Sequence, residues 1–504
     1  MDTVRIPDGF RERMRRWLGE EYAAFEAGYD RERKTALRVN RLKLTPAEFE
    51  GLCPVPLTEV PWAEDGFFVE TSEDFRPGKH PWHHAGAYYM QEASAMLTAA
   101  IASPEPGERV LDLCAAPGGK TTQLASALQG RGLLVANEIH PARATVLSQN
   151  VERMGIRNAL VTNESPQALA KRFPSFFDKI VVDAPCSGEG MFRKEEQAIL
   201  DWSVDNLLLC SRRQQEILHE AAAMLRSGGY LFYSTCTFAP EENEYTIAAF
   251  LNDHPDFELA SPEDFPEGAA RRAWLAGLSV GHGRAEWVSD NAMAEADGCV
   301  PIPDGIETTI RLWPHRAHAE GHFAAVLHKK DTAEGGGQWD KTDRAKRKKA
   351  GSDKGDRGLN EAISAGRAFA KEAGLAFPDT EEWTPLLFGS KLCFLPCPLS
   401  LDGLRVLRAG WEWGGVKGTR FEPDHALALS LRATDVPAVC DLTDARLPDG
   451  AAEAWLRGEA LTIPADMPLP KGWLPVTVNG CTVGWGKHAD GILKNHYPKG
   501  LRVR

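Results

Sequence analysis

Asp112-Leu113-Cys114-Ala115-Ala116-Pro117-Gly118-Gly119-Lys120-Thr121-Thr122 follows a short apolar run and leads into a helix-length amphipathic stretch. Small residues and two glycines at a strand-to-helix turn let the backbone come close to a ligand, as a nucleotide-like cofactor requires. The turn lacks the longer Gly-started loop of a Walker site, and it is not the Gly-x-Gly-x-x-Gly dinucleotide fingerprint. From here onward short apolar runs alternate with helix-length segments, the pattern of a parallel sheet with crossover helices. Strands are predicted at Arg109 to Leu113, Gly132 to Asn137, Ala159 to Thr162, Lys179 to Asp183 and Tyr230 to Ser234. Val110, Leu111, Val135, Ile180, Val181 and Val182 are branched or bulky in near-continuous runs, as strands buried on both faces require. The expected fold is therefore α/β, a Rossmann-like, doubly wound and mostly parallel sheet, with chemistry in the loops beyond the carboxyl ends of its strands.

Around this core, a chain of 504 residues with 43% hydrophobic content is too long for one ordinary core. Residues 1–105, Arg-rich and then Pro- and aromatic-rich, are expected to form an accessory domain, and 106–330 the core. Residues 331–359, rich in Gly, Lys, Asp and Arg and nearly free of aliphatic side chains, read as a basic flexible linker. Residues 360–504, with many Trp and Gly, read as a mixed α/β binding module. No apolar run approaches the roughly 18 residues of a membrane helix, so the expected location is the cytoplasm. The formal charge of -13 argues against a nucleic-acid partner, but the Arg-rich start and the cluster Lys341, Arg344, Lys346, Arg347, Lys348 and Lys349 give two local basic segments. Charge alone leaves the partner open.

The second strand ends in Asn137-Glu138, a carboxylate placed to accept hydrogen bonds from a ribose diol, 19 positions after Gly119. The fourth strand ends in Asp183-Ala184-Pro185-Cys186-Ser187-Gly188 and the fifth in Ser234-Thr235-Cys236-Thr237. Two cysteines therefore emerge beside the expected cofactor pocket, in loops crowded with Pro, Gly and Ser. A lone cysteine there would read as a small buried hydrophobe; two on one rim, with Asp183 beside them, fit nucleophilic catalysis better. Enzymes that methylate amines put Pro-Pro and an aromatic ring at the fourth-strand site, where a ring can stack on the base. A thiol suits different chemistry, because C5 of cytosine is a poor nucleophile until something adds to C6. Cys393 and Cys397 lack the two-by-two spacing of a zinc site, so no metal is expected, and Cys53, Cys210, Cys299, Cys440 and Cys481 read as packing residues. The Trp residues read mainly as core, ahead of an RNA platform built from Trp473 and Trp485 near Lys487, Lys494 and Lys499.

Taken jointly, Asp112 to Lys120, Asp183 to Gly188 and Tyr233-Ser234-Thr235-Cys236-Thr237 closely resemble the Nol/Nop/Sun family of RNA cytosine-5 methyltransferases. Leu37-Arg38-Val39-Asn40, Tyr88 to Met96, Arg311-Leu312-Trp313-Pro314 and Gly321-His322-Phe323 look like its flanking segments, so the resemblance spans about residues 30–330. Gly188 to Lys194 and the tail after Lys487 look most like its bacterial RsmF-type members, whose substrate is small-subunit (16S) ribosomal RNA. The resemblance implies a class I methyltransferase core that uses S-adenosylmethionine (SAM) and a PUA-like C-terminal module. It implies further that Cys114, Ala115, Ala116, Pro117, Gly118, Gly119, Lys120 and Glu138 hold SAM, that Cys236 is the nucleophile and that Cys186 assists release of the methylated base. Asp183 should sit between cofactor and base. An Asp commonly follows the third strand in the family; Asn163-Glu164-Ser165 stands there instead, which makes Ser165 the candidate adenosine contact. The implied partner is RNA, free or as the assembled 30S subunit. Two rivals share the fold: an RNA-binding assembly factor without activity, which retention of both cysteines argues against, and a methyltransferase for DNA or protein, which has no need of this thiol layout. Transfer RNA or another RNA is the alternative substrate.

Overall fold

Residues 5–72, 75–261, 280–317, 319–331, 353–418 and 420–503 are described by the computed structural model. The five predicted core strands are present, at Arg109–Asp112, Leu133–Asn137, Ala159–Thr162, Phe177–Asp183 and Leu225–Thr235. They pair in parallel, with Arg109–Asp112 between Leu133–Asn137 on one side and Phe177–Asp183 on the other. Successive residues of a strand point to opposite faces, and the packing follows. Val110, Leu134, Val161, Val181 and Phe232 enter one buried cluster with Leu124, Leu147 and Val151 of the covering helices. Leu111, Val135, Leu160, Ile180, Val182 and Leu231 enter the other with Leu169, Phe173, Leu218 and Ile247. Apolar burial on both faces is what makes a parallel sheet stable.

The strand order reverses between Arg109–Asp112 and Phe177–Asp183, since the chain builds outward to Ala159–Thr162 on one side and to Leu225–Thr235 on the other. Loops leaving the two strands at such a switch point diverge and open a crevice. Antiparallel strands extend the sheet to ten: His322–Lys329 lies beside Leu225–Thr235, Ile310–Leu312 and Val280–His282 follow it, and Phe257–Leu259 pairs with the far end of His322–Lys329. At the opposite edge Val406–Ala409 pairs with Ala159–Thr162. The sheet expected within 106–330 is thus completed by a strand from the C-terminal region, which covers an edge that would otherwise expose unpaired backbone groups.

Residues before the core form a four-stranded antiparallel sheet, Leu57–Val60, Ala63–Val69, Thr35–Val39 and Tyr88–Met90. The C-terminal region, expected as one module, carries two sheets: four strands between Thr384 and Pro423, and five between Cys440 and Asn495. Its last part packs on the N-terminal sheet: Trp455, Val476 and Leu493 share a buried cluster with Leu37, Phe49 and Trp82, and the Trp82 indole N–H donates to Asn479 Oδ1 at 2.8 Å. Most of the expected linker, with the Lys341 to Lys349 cluster, lies outside the described residues; its last part belongs to the helix Asp353–Ala373.

The Arg-rich start is committed within the molecule. Phe10, Met14 and Trp17 on one face of the helix Asp8–Leu18 bury against Phe192, Phe238, Trp287 and Trp313. Arg13 pairs with the buried Glu241 at 2.6 Å and Arg16 with Asp290, so much of this charge answers acidic groups of the core.

Candidate functional site

The loop after Arg109–Asp112 is held on every side. Ala115 N–H donates to Asn137 O at 2.8 Å, the Ala116 carbonyl accepts from Arg143 at 2.7 Å and the Pro117 carbonyl from Asn150 at 2.8 Å. Gly118, at φ +114°, takes a conformation that side-chain-bearing residues avoid and starts the helix Gly119–Leu128. Arg38, fully buried, reaches that helix from the N-terminal sheet: it donates to Thr122 Oγ1 at 2.6 Å, to Gln91 Oε1 at 3.0 Å and to the Gly119 carbonyl at 3.3 Å.

Charged groups converge beside this loop. Lys120 Nζ lies 2.9 Å from Asp183 Oδ2, whose other oxygen accepts from the Ser234 hydroxyl at 2.9 Å. Burial would raise the Asp183 carboxyl, but the charge of Lys120 and the hydrogen bonds from Lys120 and Ser234 outweigh it and hold the group below the usual aspartate range. Asp112 accepts from Thr121 Oγ1 at 2.6 Å, while its other oxygen is buried without a hydrogen-bond partner. Burial, and the repulsion of Asp183 and Glu138, push its carboxyl up to about 7. Cys114 is driven upward first by burial and then by Asp112, Asp183 and Glu138, which makes it a packed thiol. Three carboxyl groups around one lysine suit a ligand that carries positive charge of its own, as the sulfonium and amino groups of SAM do. The glycine turn, the orphaned Asp112 oxygen and this acidic excess all fit that cofactor.

Glu138 lies at the end of its strand with its carboxylate buried, accepting from His140 N–H at 2.9 Å and facing Arg143 at 3.6 Å. Ser165 caps the helix Pro166–Arg172 by accepting from Ala168 N–H at 3.3 Å. Asn163 is spent on the Glu138 and Ile139 carbonyls and Glu164 on Arg405, so this segment is tied to its neighbours.

The two cysteines meet. Cys186 Sγ and Cys236 Sγ are 3.3 Å apart. Phe177–Asp183 and Leu225–Thr235 are neighbouring parallel strands, so their exit loops lie side by side. The residue after each cysteine is anchored in a buried network: Ser187 Oγ and Thr237 Oγ1 are 2.9 Å apart, Ser187 N–H and hydroxyl both donate to Glu242, and Thr237 donates to Glu189 Oε2 at 3.0 Å. Glu242 also accepts from Gln214 at 2.8 Å, and burial pushes its carboxyl up to about 8. The contact with Cys236, burial and the charge of Glu242 push Cys186 well above the usual cysteine value, so it stays a thiol.

Cys186, Cys236, Asp183, Lys120 and the glycine turn are thus brought together. Sequence reasoning missed Glu242, which stands in the acidic run Pro240-Glu241-Glu242-Asn243-Glu244. Such a run reads as solvated, yet Glu241, Glu242 and Glu244 are fully buried. Arg38 and His322 were visible only as parts of flanking segments. Trp485 is buried and donates to the Asp424 carbonyl at 2.8 Å; Trp473, half-buried, has Lys487 over its ring. Among the described residues no group of His, Cys, Asp or Glu is arranged to hold a metal ion, and no helix is long and apolar enough to cross a membrane.

Comparison with known proteins bears on this geometry. Residues 99–328 match the family described as 16S rRNA methyltransferase RsmB/F, 6–93 the N-terminal domain of 16S rRNA methyltransferase RsmF, 368–431 the first C-terminal domain of that enzyme and 443–503 its PUA domain. The ribosomal RNA small subunit methyltransferase F of Escherichia fergusonii is 31% identical over 520 residues, covering 99% of this chain and 97% of that protein. The chain belongs to the RsmF methyltransferase family. Its Vibrio campbellii relative is 28% identical over 99% of this chain and 98% of its own. A solved methyltransferase homologue from Pyrococcus horikoshii is 28% identical, with a TM-score of 0.53 over 65% of this chain and 96% of its own. In the RsmF family the core is a SAM-dependent methyltransferase, so the cofactor expected from the sequence stands, and the fold is the α/β class read from the strand pattern.

Proposed function

We propose that this chain methylates C5 of a cytosine in 16S ribosomal RNA, in the cytoplasm where that RNA is assembled, with Cys236 as nucleophile. The observation that carries the proposal is the pair of thiols 3.3 Å apart beside Asp183, at the carboxyl ends of adjoining strands. Family membership supports ribosomal RNA as substrate, as 16S rRNA or as the 30S subunit.

SAM, when bound, supplies an electrophilic methyl group for C5; the residues that would hold it are the turn from Cys114 to Lys120, with Glu138 at its ribose and Ser165 near its adenosine. The Cys236 thiolate adds to C6, forming the S–C6 bond and sending the C5–C6 electron pair toward C4 and N3, so that C5 becomes enamine-like. Asp183, kept ionised by Lys120, accepts a hydrogen bond from the protonated N3 or amino edge of the base. Contact with Cys236 and burial push the Cys186 thiol up, and the resemblance of Tyr233 to Thr237 to the family motif makes Cys236 the attacking sulfur. In the release step a base beside Cys186, or Cys186 itself once it has passed its thiol proton to such a base, takes the C5 proton, the C5–H pair restores the C5–C6 double bond, and the Cys236–C6 bond breaks. The target must be unpaired or extruded to reach this crevice, at a cost of a few kcal/mol.

The test is transfer of tritiated methyl from SAM to unmodified 16S rRNA, to 30S subunits and to tRNA, with bisulfite mapping and Cys236→Ala as control. Cys236-dependent 5-methylcytosine in 16S rRNA is expected. Transfer to tRNA alone would replace the substrate, and SAM binding without transfer to any RNA would leave an assembly factor.

A further inference from the structure

His322 is the first residue of the strand that pairs with the one leading to Cys236. Phe323 is in register with Thr235 and Ala324 with Ser234, so His322 stands across from Cys236, and the alternation of the strand puts it on the face of Ser234. Its ring is buried, 4% exposed, with Nε2 3.8 Å from Asp183 Oδ1. That nitrogen has no hydrogen-bond partner. Burial, and then the charge of Lys120, hold the ring down at about 3, so it is neutral at working pH. We assign its proton to Nδ1, since the Gly321 backbone lies against the ring and Nε2 is unpartnered. A neutral imidazole with its proton on Nδ1 presents Nε2 as an acceptor.

Two acceptors, Asp183 Oδ1 and His322 Nε2, thus face each other across 3.8 Å beside the attacking sulfur, with no proton between them. Leaving a buried acceptor unmade costs stability, and such a group in a crevice is explained when a ligand supplies the donor. The Asp183 side chain is 37% exposed and opens outward to what enters, while His322 Nε2 beside it is buried. Resting on the activity proposed above, we infer that His322 Nε2 and Asp183 Oδ1 together accept the two N–H groups of the target cytosine's exocyclic amine, which makes His322 a base-selecting residue. Uracil presents a carbonyl oxygen at that position and meets two lone pairs instead. A site built to accept from an N–H rejects the analogue that lacks it far more strongly than an apolar pocket can.

The experiment uses the full chain and RNA carrying cytidine or uridine at the mapped target position, and measures RNA affinity by competition, kcat/KM on cytidine RNA, and the SAM dissociation constant. His322→Phe is expected to lose about 10- to 100-fold in kcat/KM on cytidine RNA, the loss of one hydrogen bond to a buried group, with SAM affinity unchanged. His322→Asn, whose amide can turn either an oxygen or an N–H to the base, is expected to keep more activity than His322→Phe and to narrow the cytidine-to-uridine affinity ratio. An unchanged ratio in both variants, or a loss accounted for by weaker SAM binding, overturns the inference. Wild type and Cys236→Ala run alongside: absence of Cys236-dependent transfer to cytidine sinks the activity and this inference with it, whereas its presence with an unchanged ratio sinks only the role of His322.

Discussion

Cys186 Sγ sits 3.3 Å from Cys236 Sγ, although 50 residues of chain separate them. The contact with Cys236, together with burial, pushes the Cys186 thiol well above the usual cysteine range. Cys236→Ala should abolish methyl transfer while SAM still binds. Cys186→Ala should leave addition intact and slow release, so that a covalent protein–RNA band survives denaturing electrophoresis. Trapping by Cys236→Ala rather than by Cys186→Ala would reverse the two roles.

Gly190 holds the Cys236 turn from behind. Its N–H donates to the Cys236 carbonyl at 2.8 Å, and a Cβ there would stand 2.9 Å from that oxygen and 3.1 Å from the Gly321 carbonyl. Gly190→Ala must therefore shift the Cys236 and His322 segments. A displacement approaching 1 Å at a nucleophile costs about 100-fold in rate. Single-turnover kinetics should show a loss of that order, accompanied by a lowered melting temperature because the clashes are with backbone oxygens.

Glu242 gives a pH signature. Its carboxyl rises from 4.5 to about 8 on folding, chiefly through burial, so between those values the folded chain keeps a proton that the unfolded chain has released. Its contribution is complete below about pH 4.5 and is lost progressively until the pH passes about 8, a change of a few kcal/mol. Glu242→Gln keeps the shape without the titration. Thermal melts from pH 5 to 9 should show wild type losing stability relative to this variant as pH rises; parallel curves would mean that Glu242 is ionised in the fold.

Arg38 ties the N-terminal sheet to the helix Gly119–Leu128 and faces Asp65 at 3.6 Å, both buried. Removing one partner of a buried pair typically costs about 3–5 kcal/mol, because the other charge is stranded. Arg38→Met should destabilise by that order in urea unfolding and weaken SAM binding. Adding Asp65→Leu should restore part of the stability but not the affinity, since Thr122 and Gln91 still lack their donor.

Ending the chain at Lys330 should yield an aggregating protein rather than an independent methyltransferase. It would strip Val406–Ala409 from the sheet edge at Ala159–Thr162 and uncover Leu37, Phe49 and Trp82. Light scattering and size-exclusion chromatography decide this, and a stable monomer with full SAM affinity would contradict it.

The strands were legible because Val110, Leu111, Ile180, Val181 and Val182 sit in runs that only a doubly covered sheet can bury, and the loops were legible because glycine and cysteine at strand ends have few other uses. Outside the core the reading was coarser. The single C-terminal module proved to be two sheets, since short Trp- and Gly-rich strands carry little periodic signal. The Arg-rich start, a local basic segment in the sequence, proved to be partly spent on Glu241 and Asp290, because charge counts do not tell which carboxylates stand opposite.

By itself the sequence determined the parallel sheet, the glycine turn after its first strand and the two cysteines at neighbouring strand ends, because local residue pattern and strand-end position are properties of contiguous chain. Tertiary structure alone decided what surrounds them. Glu242 behind Ser187, Arg38 beneath Thr122 and His322 beside Asp183 are joined across 55, 84 and 139 positions. Hydrogen bonds and charges act over a few ångströms of space, and proximity of that kind is set by the crossing of strands, not by spacing along the chain.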